Sequence, residues 1–392
     1  MGTVHKLKTA RRGKYATLLD PALWEYIDLV NDWFPPEIAE LPIAEQRSVY
    51  DAMCRAFHQG YPKGVSASGG IIAADAGHAI PIRYYRMAGK PVRAVIVYYH
   101  GGGFVLGGLD SHDDICAEIC AGTGFDVVSA DYRLAPEHPH PAAFDDALTV
   151  FEWAAVTTDL PIVLVGESAG GNLAAAVAHA SRRHLRRAAG QVLIYPGLGG
   201  DESAGSYVEH AKAPLLTLRD IAFYRTIRAA PAQSPDDPTF SPLKDNDFSG
   251  LPPTVIITAQ CDPLSSDGET YRDRIVAAGG RAWWYEEPRL VHSFLRARKN
   301  VPRAGEAFVC TLAAIAAVAV LGKNDEALIS PTTRGEIVCT PTAEWRTRIA
   351  EKRTFPGVGP LYHHLLRQRR PMIASAPAEA DRRGAQQKRE RR

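Results

Sequence analysis

The sequence predicts an α/β protein with a mainly parallel sheet of about eight strands, flanked by helices and covered by a helical cap. Two observations lead to this fold class. From residue 94 onward, apolar runs of strand length alternate with helical patterns, which is typical of a parallel sheet covered on both faces. The 392 residues are 46% hydrophobic and 23% charged, the balance of a soluble globular chain that can form one large α/β domain.

Residues 1–60 are predicted to form a helical arm or cap and no part of the sheet. An amphipathic pattern over residues 18–33 is broken at Pro35-Pro36, because proline cannot continue a helix. A second helix is expected from about Ile43 to His58. No strand signal precedes Ile71, so the sheet is expected to begin there.

The α/β domain is predicted to span residues 61–321. Its predicted strands are Ile71–Ala74, Ile80–Arg86, Ala94–His100, Asp126–Ala130, Ile162–Val165, Gln191–Tyr195, Thr254–Thr258 and Ala282–Tyr285. Its predicted helices are Ser111–Cys120, Ala142–Ala155, Asn172–Arg186 and Gly268–Ala278. The interval from about 197 to 250 has helical pieces and no strand signal. It therefore predicts a cap insertion over the strand ends, where open α/β sheets bind ligands.

Composition and charge exclude several classes of protein. A net charge of +1 argues against nucleic acid as the main partner. The N-terminus has no apolar core of signal-peptide length, and the longest apolar run, Leu312–Leu321, is too short to span a bilayer. The six cysteines show no framework spacing, which indicates a reducing compartment and hence a cytoplasmic location. The basic extension, residues 322–392, is expected to be partly disordered.

The segment Gly166-Glu-Ser-Ala-Gly-Gly171 lies between a predicted strand and a predicted helix. A Gly-x-Ser-x-Gly turn in that position is the context of a nucleophile elbow. Ser168 is expected at a strained backbone position, and a Cβ at Gly166 or Gly170 is expected to collide with the neighbouring strand or helix. The start of the following helix offers free N–H groups for an oxyanion. A strand-to-helix turn that merely contains a serine is the alternative.

A second glycine-rich segment, His100-Gly-Gly-Gly-Phe104, directly follows the third predicted strand. Consecutive glycines let backbone N–H groups turn into a cavity, and such groups stabilise a tetrahedral oxyanion. A phosphate-binding loop is the alternative. However, no Lys-Ser or Lys-Thr pair follows, and the G-x-G-x-x-G spacing is missing.

Ser168 needs a base, and the base needs an acid that orients it. Asp262 lies just past the seventh predicted strand, and His292 lies in the loop after the last one. This gives the chain order serine, acid, histidine. Asp201 and Asp267 are rival acids, and Asp262 also fits the N-cap of a helix.

These motifs together resemble the hormone-sensitive-lipase-like esterases, the bacterial acetyl-esterase and carboxylesterase group of α/β-hydrolases. The resemblance covers residues from about 19 to 321 and rests on His100–Phe104, Asp131–Glu137, Gly166–Asn172, Asp262–Leu264 and His292–Phe294. It implies an α/β-hydrolase fold and a triad of Ser168, Asp262 and His292. It also implies an oxyanion hole from the N–H groups of Gly102, Gly103 and Ala169, and a homodimer through the exposed sheet edge near the last strand.

Three residues depart from the pattern of this family. Glu167 stands where aspartate is more common, and Ser266 replaces a common aspartate four positions after the catalytic acid. Ser293 replaces the usual glycine after the histidine. Because serine has less backbone freedom than glycine, Ser293 is expected to affect how His292 is oriented.

The sequence therefore predicts a serine hydrolase that cleaves small-molecule carboxylic esters, with short to medium acyl chains or small acetyl groups, and needs no cofactor or metal. Candidate walls of the substrate pocket are Phe104, Trp24, Tyr207, Phe223 and Tyr224, although ordinary core packing explains each of them equally well. Amidases, formamidases and thioesterases use the same machinery, so these activities stay open. A non-catalytic receptor such as the gibberellin receptor, which resembles the same family, would be expected to have lost the serine or the histidine.

Overall fold

The computed structural model describes residues 12–321, apart from 35–37, 90, 232–233 and 235. The predictions for the first residues of the N-terminal arm and for the extension 322–392 lie outside the described residues. Cys339 lies there as well.

An eight-stranded sheet forms the centre of the protein. Its strands are β1 Val65–Ala73, β2 Ala79–Met87, β3 Val95–Tyr99, β4 Asp126–Ala130, β5 Ile162–Glu167, β6 Gly190–Ile194, β7 Thr254–Cys261 and β8 Ala282–Val291. The strands are arranged in the order β1-β2-β4-β3-β5-β6-β7-β8. β1 and β2 join in antiparallel fashion, and every pair from β4 to β8 is parallel. The predicted mainly parallel sheet is confirmed.

The strands in the middle of the sheet are the most apolar. Every residue of β3, β4, β5 and β6 is buried, as expected for strands covered on both faces. In contrast, β1 is mostly exposed and begins at Val65, six residues before the predicted start at Ile71. Its first half is rich in serine and glycine, so hydrophobic periodicity gives no signal there.

Helices cover both faces of this sheet. They are α1 Tyr15–Leu18, α2 Pro21–Asn31, α3 Ile43–Phe57, α4 Asp113–Thr123, α5 Ala142–Thr157, α6 Ala169–Ser181, α7 Gly205–Glu209, α8 Leu218–Arg228, α9 Ser265–Ala277 and α10 Pro302–Leu321. One face carries α5, α6 and α9, whose apolar side chains share a single core with β3 and β5. The other carries α4 and α10, which contact each other.

Helix α10 is long and apolar enough to cross a membrane by length and composition alone. It packs against β5, β6 and β7, and it buries Phe308, Ile315 and Val318. These contacts are those of a core helix in a globular domain. The sequence pattern revealed only its second half, as the apolar run Leu312–Leu321.

The interval between β6 and β7 has no strand among its described residues. It contains α7, α8 and a 3₁₀ turn, Pro242–Lys244. Thr217 caps α8: its Oγ1 accepts a hydrogen bond from the N–H of Asp220, whose carboxylate accepts one from the N–H of Thr217. This segment follows the carboxyl end of β6, the end of the sheet at which Ser168 also lies.

Candidate active site

Ser168 lies in the tight turn between β5 and α6. Its backbone has φ 53° and ψ −117°, outside the regions of helices and strands. A Cβ on Gly166 would lie 2.1 Å from the carbonyl oxygen of Gly170, and a Cβ on Gly170 would lie 1.9 Å from that of Tyr99. Only glycine fits at these two positions. The expected collisions, with the helix at Gly166 and with β3 at Gly170, are confirmed.

Asp262 and His292 follow the carboxyl ends of β7 and β8. His292 Nε2 lies 2.9 Å from Ser168 Oγ, and His292 Nδ1 lies 2.7 Å from Asp262 Oδ2. Asp262 is fully buried, and its other oxygen accepts a hydrogen bond from the N–H of Leu264 at 2.9 Å. The ring of Tyr195 packs 4.8 Å from that of His292, centroid to centroid. The structure thus brings the three predicted residues into one hydrogen-bonded chain.

The two rival acids have other partners. Asp201 accepts hydrogen bonds from the hydroxyl and the N–H of Ser203. Asp267 is buried, and its Oδ2 accepts hydrogen bonds from the N–H of Leu198 at 2.6 Å and from the hydroxyl of Tyr207 at 3.0 Å. Burial raises the pKa of Asp267 to about 7. Asp201 therefore stabilises a turn, and Asp267 binds residues of the cap insertion.

The glycine-rich loop lies beside the elbow, because β3 and β5 are neighbours in the sheet. Gly102 has φ 120° and Gly103 has φ 64°, conformations that favour glycine. The carbonyl of Gly102 accepts hydrogen bonds from the N–H groups of Val105 and Leu106. Within the described chain, the N–H groups of Gly102 and Gly103 have no backbone acceptor.

Ala169 supplies the third expected donor. It is the first residue of α6, and the first N–H groups of a helix have no intrahelical acceptor. The N-terminus of α6 also carries a partial positive charge. The N–H groups of Gly102, Gly103 and Ala169 thus belong to the loop and the helix start that adjoin Ser168.

Glu167 belongs to a buried network behind the nucleophile that sequence reasoning missed. Its carboxylate pairs with His112 Nε2 and accepts a hydrogen bond from the hydroxyl of Tyr195. Although burial opposes ionisation, the His112 ion pair and these hydrogen bonds lower the pKa of Glu167 to about 2. A Cβ on Gly101 would lie 3.3 Å from Glu167 Oε1, so the carboxylate also lies against the glycine-rich loop. In the sequence, Glu167 stood out because it is next to the serine, but nothing in the sequence pointed to its partners.

The other two departures also have a structural setting. Ser293 has φ 62°, a left-handed conformation that costs a non-glycine residue about 1 kcal/mol. His292 nevertheless keeps both of its hydrogen bonds. Ser266 and Ser206 exchange hydrogen bonds, since the hydroxyl of each accepts from the N–H of the other at 2.8 and 2.9 Å. Ser266 therefore attaches the cap insertion to the start of α9.

Three of the five predicted pocket walls lie in the glycine-rich loop, against it or next to a residue that covers it. A Cβ on Gly103 would lie 2.5 Å from the ring of Tyr224, so this α8 side chain directly covers the loop. Phe223 is half-buried, and its ring lies 5.4 Å from that of Tyr224. Phe104 continues the loop and is buried under the guanidinium of Arg228.

The other two predicted walls, Trp24 and Tyr207, make hydrogen bonds with residues outside the glycine-rich loop. The indole N–H of Trp24 donates to the carbonyl of Tyr15, and the guanidinium of Arg12 lies 4.2 Å from the ring centroid of Trp24. Tyr207 is buried, and its hydroxyl donates to Asp267. These contacts are those of core residues.

A cavity of about 530 Å³ lies at the opposite end of the sheet. Its lining includes Pro161, Ala189 and Pro253, which directly precede β5, β6 and β7. In open α/β sheets, ligands bind at the carboxyl ends of the strands, so the position of this cavity does not suit the chemistry of Ser168.

Comparisons with known proteins agree with this geometry. A family model described as an alpha/beta hydrolase fold matches residues 96–296. The carboxylesterase NlhH of Mycobacterium tuberculosis is 40% identical over 253 residues, which cover 60% of this chain and 77% of that protein. An ethyl acetate hydrolase of Pseudomonas putida is 33% identical over 255 residues, covering 61% and 79%. The solved structure of a hyperthermophilic esterase from Pyrobaculum calidifontis superposes with a TM-score of 0.70 at 32% identity, covering 78% of this chain and 100% of that one.

Proposed function

Because the chain belongs to the hormone-sensitive-lipase-like family of α/β-hydrolases, we propose that it hydrolyses carboxylic esters through an acyl-enzyme on Ser168. Relatives named carboxylesterase and ethyl acetate hydrolase support the class of reaction, a carboxylic ester hydrolase. The observation that carries the proposed residues is the hydrogen-bonded chain from Ser168 Oγ through His292 to Asp262.

In the first half of the reaction, Ser168 Oγ attacks the carbonyl carbon of the ester. His292 Nε2, 2.9 Å away, takes the hydroxyl proton. Asp262 accepts a hydrogen bond from the other ring nitrogen, so it orients the imidazole and stabilises the imidazolium. When the tetrahedral intermediate collapses, the imidazolium gives the proton to the leaving alcohol. The acyl group stays on Ser168.

In the second half, His292 Nε2 takes a proton from a water molecule, which attacks the acyl carbon. The second tetrahedral intermediate collapses, the proton returns to Ser168 Oγ and the carboxylic acid leaves. In both intermediates the negative oxygen accepts hydrogen bonds from the N–H groups of Gly102, Gly103 and Ala169. Donors already in place when the charge develops lower the barrier, because they need no reorganisation.

We infer a substrate with a short to medium acyl chain or a small acetyl group. Tyr224 lies directly on Gly103, and Phe223 lies beside it. Aromatic side chains of the cap insertion therefore limit the space above the oxyanion site. An ester with a long acyl chain would have to displace them.

Two further proposals concern the protein in the cell. We propose a cytoplasmic location, because Cys54, Cys116 and Cys261 are buried thiols that form no disulfide within the part of the chain that the structure describes, as expected in a reducing compartment. Cell fractionation would test this location, and recovery of the protein outside the cytoplasm would contradict it.

We also propose a homodimer through β8, which pairs with β7 alone among the described strands and leaves its other edge open.

The experiment that tests the function measures hydrolysis of p-nitrophenyl acetate and butyrate. Ser168→Ala is expected to lower kcat by about 10⁶-fold without changing the unfolding temperature, because it removes the nucleophile. Ser181→Ala, at the other end of α6, is the matched control and is expected to keep full activity. Turnover in Ser168→Ala, or fluorophosphonate labelling of another serine, would overturn the assignment. A panel of amides and thioesters with the same acyl groups, measured beside the esters, shows which type of bond is cleaved preferentially.

A further inference from the structure

Arg228 is a buried cation at the end of α8, in the cap insertion. Its residue is 5% exposed, and its guanidinium lies between two aromatic rings. The central carbon lies 3.5 Å from the ring centroid of Phe104 and 4.2 Å from that of Phe240. Arginine stacks on aromatic faces in this way because its planar charge meets the negative face of the ring.

The hydrogen bonds of Arg228 go to neutral acceptors. Nη1 donates to the carbonyl of Phe240 at 3.0 Å, and Nη2 donates to Asn172 Oδ1 at 3.3 Å. The charge of Asp237 acts on Arg228, but this carboxylate also contacts His140 Nε2 at 3.2 Å, and the effect of burial on Arg228 is larger. Burial accordingly lowers the pKa of Arg228. A buried charge whose hydrogen bonds go to neutral acceptors is costly, so an ion pair alone does not explain this side chain.

Outside the cap insertion, Arg228 contacts Asn172 and Phe104, and both lie close in sequence to residues of the proposed active site. Asn172 lies one turn after Ser168 on α6, and its N–H donates to the carbonyl of Ser168. Phe104 directly follows Gly103 and has φ 65°, an uncommon conformation for a bulky residue. Its carbonyl accepts a hydrogen bond from the N–H of Ala135 at 2.9 Å. The backbone of Phe104 is thus held on one side by Ala135 and its ring on the other by Arg228.

We propose that Arg228 is a positioning residue that holds Phe104, and through it turns the N–H groups of Gly102 and Gly103 toward the oxyanion. The inference rests on the proposed ester hydrolysis and deepens it, because it couples a residue of the cap to the stabilisation of the transition state. If Phe104 is released, the loop can relax from its positive-φ conformation, and the donors lose their alignment.

The first test compares Arg228→Met with Arg225→Met, an exposed arginine on the same helix whose partner is Glu202. Arg228→Met keeps most of the apolar bulk and removes the planar charge. It is expected to lower kcat for p-nitrophenyl acetate by about 10- to 100-fold with KM within twofold, because the donors act in the transition state. Arg225→Met is expected to match the wild type. An unchanged kcat in Arg228→Met, or a change in KM alone, would overturn the proposal.

A trifluoromethyl ketone provides a readout that a merely structural role would not move. Its adduct with Ser168 carries an oxyanion in the same place as the reaction intermediate. The inhibition constant is expected to rise in Arg228→Met by about the factor by which kcat falls. An unchanged inhibition constant would contradict the proposal.

A double-mutant cycle tests whether Arg228 acts through Phe104. Phe104→Leu removes the stacking partner, so the double variant with Arg228→Met is expected to lose no more kcat than the more impaired single variant. Additive losses would show independent roles and overturn the inference.

If thermal unfolding shows that Arg228→Met does not fold, Arg228→Lys takes its place, and wild-type kcat in that variant would equally overturn the inference. Absence of ester hydrolysis in the wild type would instead reject the proposed function, so the two failures are distinguishable.

Discussion

A buried carboxylate next to the nucleophile would by itself oppose the negative charge that forms on the ester oxygen. Glu167 is such a carboxylate, and its charge is balanced by His112 in direct contact and by Arg296 nearby. The glutamate side chain reaches both His112 and the hydroxyl of Tyr195, whose ring packs on His292. Glutamate at this position, where aspartate is more common, therefore connects His112 with Tyr195 and, through the ring of Tyr195, with the base His292.

Replacement of Glu167 by glutamine should change how stability depends on pH. The pKa of Glu167 in the folded protein, about 2, lies below its ordinary value of 4.5. The carboxylate therefore contributes its full stabilisation above about pH 4.5, and this contribution is lost as the pH falls toward 2. Glu167→Gln removes the charged acceptor that His112 and Tyr195 contact. At pH 7 it should lower the free energy of unfolding by about 2 kcal/mol, because hydrogen bonds to a buried charged acceptor are lost.

Urea unfolding at a series of pH values from 2 to 7 measures this effect. The wild type should lose more stability than Glu167→Gln between pH 4.5 and 2. Glu269→Gln, which changes an exposed carboxylate on α9, is the control and should follow the wild type. Equal pH slopes for the wild type and Glu167→Gln would contradict the predicted role of the ion pair.

Among the elements, the cap insertion has several attachments to the rest of the domain. α9 holds it through Asp267, which accepts hydrogen bonds from Leu198 and Tyr207, and through Ser266, which exchanges hydrogen bonds with Ser206. Arg228, at the end of α8, attaches the insertion to Asn172 and Phe104. Buried polar groups thus attach the cap insertion to the domain. Because such groups need their partners in place, they favour a single geometry of the cap insertion over the active site.

Asp267→Asn should stabilise the protein at neutral and higher pH. The folded-state pKa, about 7, lies above the ordinary value of 3.8 because burial disfavours the charged form. The folded protein therefore binds this proton more tightly than the unfolded chain, and stability falls as the pH rises from about 4 to about 7. Asparagine is neutral, and its amide oxygen can accept the same two hydrogen bonds, so the variant should avoid this loss.

The measurement is the urea midpoint at pH 4 and at pH 8. Asp267→Asn should exceed the wild type at pH 8 and approach it at pH 4. Asp201→Asn, at the rival acid outside the core, should change the midpoint little at either pH. A lower midpoint for Asp267→Asn at pH 8 would show that the charged form is the stabilising one.

For the whole molecule, the sequence predicted what depends on local pattern and chain order. Continuous apolar runs predicted the central strands, and the strand–turn–helix context placed Ser168. Asp262 and His292 could be predicted because parallel strands bring their carboxyl ends to one edge of the sheet, where residues distant in sequence meet. The hydrogen bonds of His292 agree with that expectation.

What the sequence did not predict depends on contacts between distant segments. Arg228 and Phe104 are more than a hundred positions apart, and hydrophobic periodicity carries no information about such a pair. Periodicity is equally uninformative about Glu167 and His112, which lie on different elements. Among the aromatic candidates, residue type could not separate Tyr224, which covers Gly103, from Trp24 and Tyr207, which are buried and contact other residues.

The state of association is a property of the whole molecule, and the edges of the sheet suggest where two copies would meet. Both β1 and β8 have an open edge. β8 begins with Ala282-Trp-Trp-Tyr285, a half-buried and largely aromatic row, whereas β1 is largely exposed and has glycines at its centre. Aromatic residues are favoured in strands and at interfaces, so β8 is the better candidate for strand pairing between two copies.

Light scattering after size exclusion should therefore give a mass of about twice the 42.6 kDa of one chain. Trp283→Lys places a charge in the edge row of β8 and should shift the protein to monomer, because charged side chains oppose edge-to-edge pairing. Ile71→Lys, at a residue of β1 that is 73% exposed, is the matched control and should stay dimeric. A monomeric wild type would refute the dimer. Dissociation of Ile71→Lys alone would move the contact to β1.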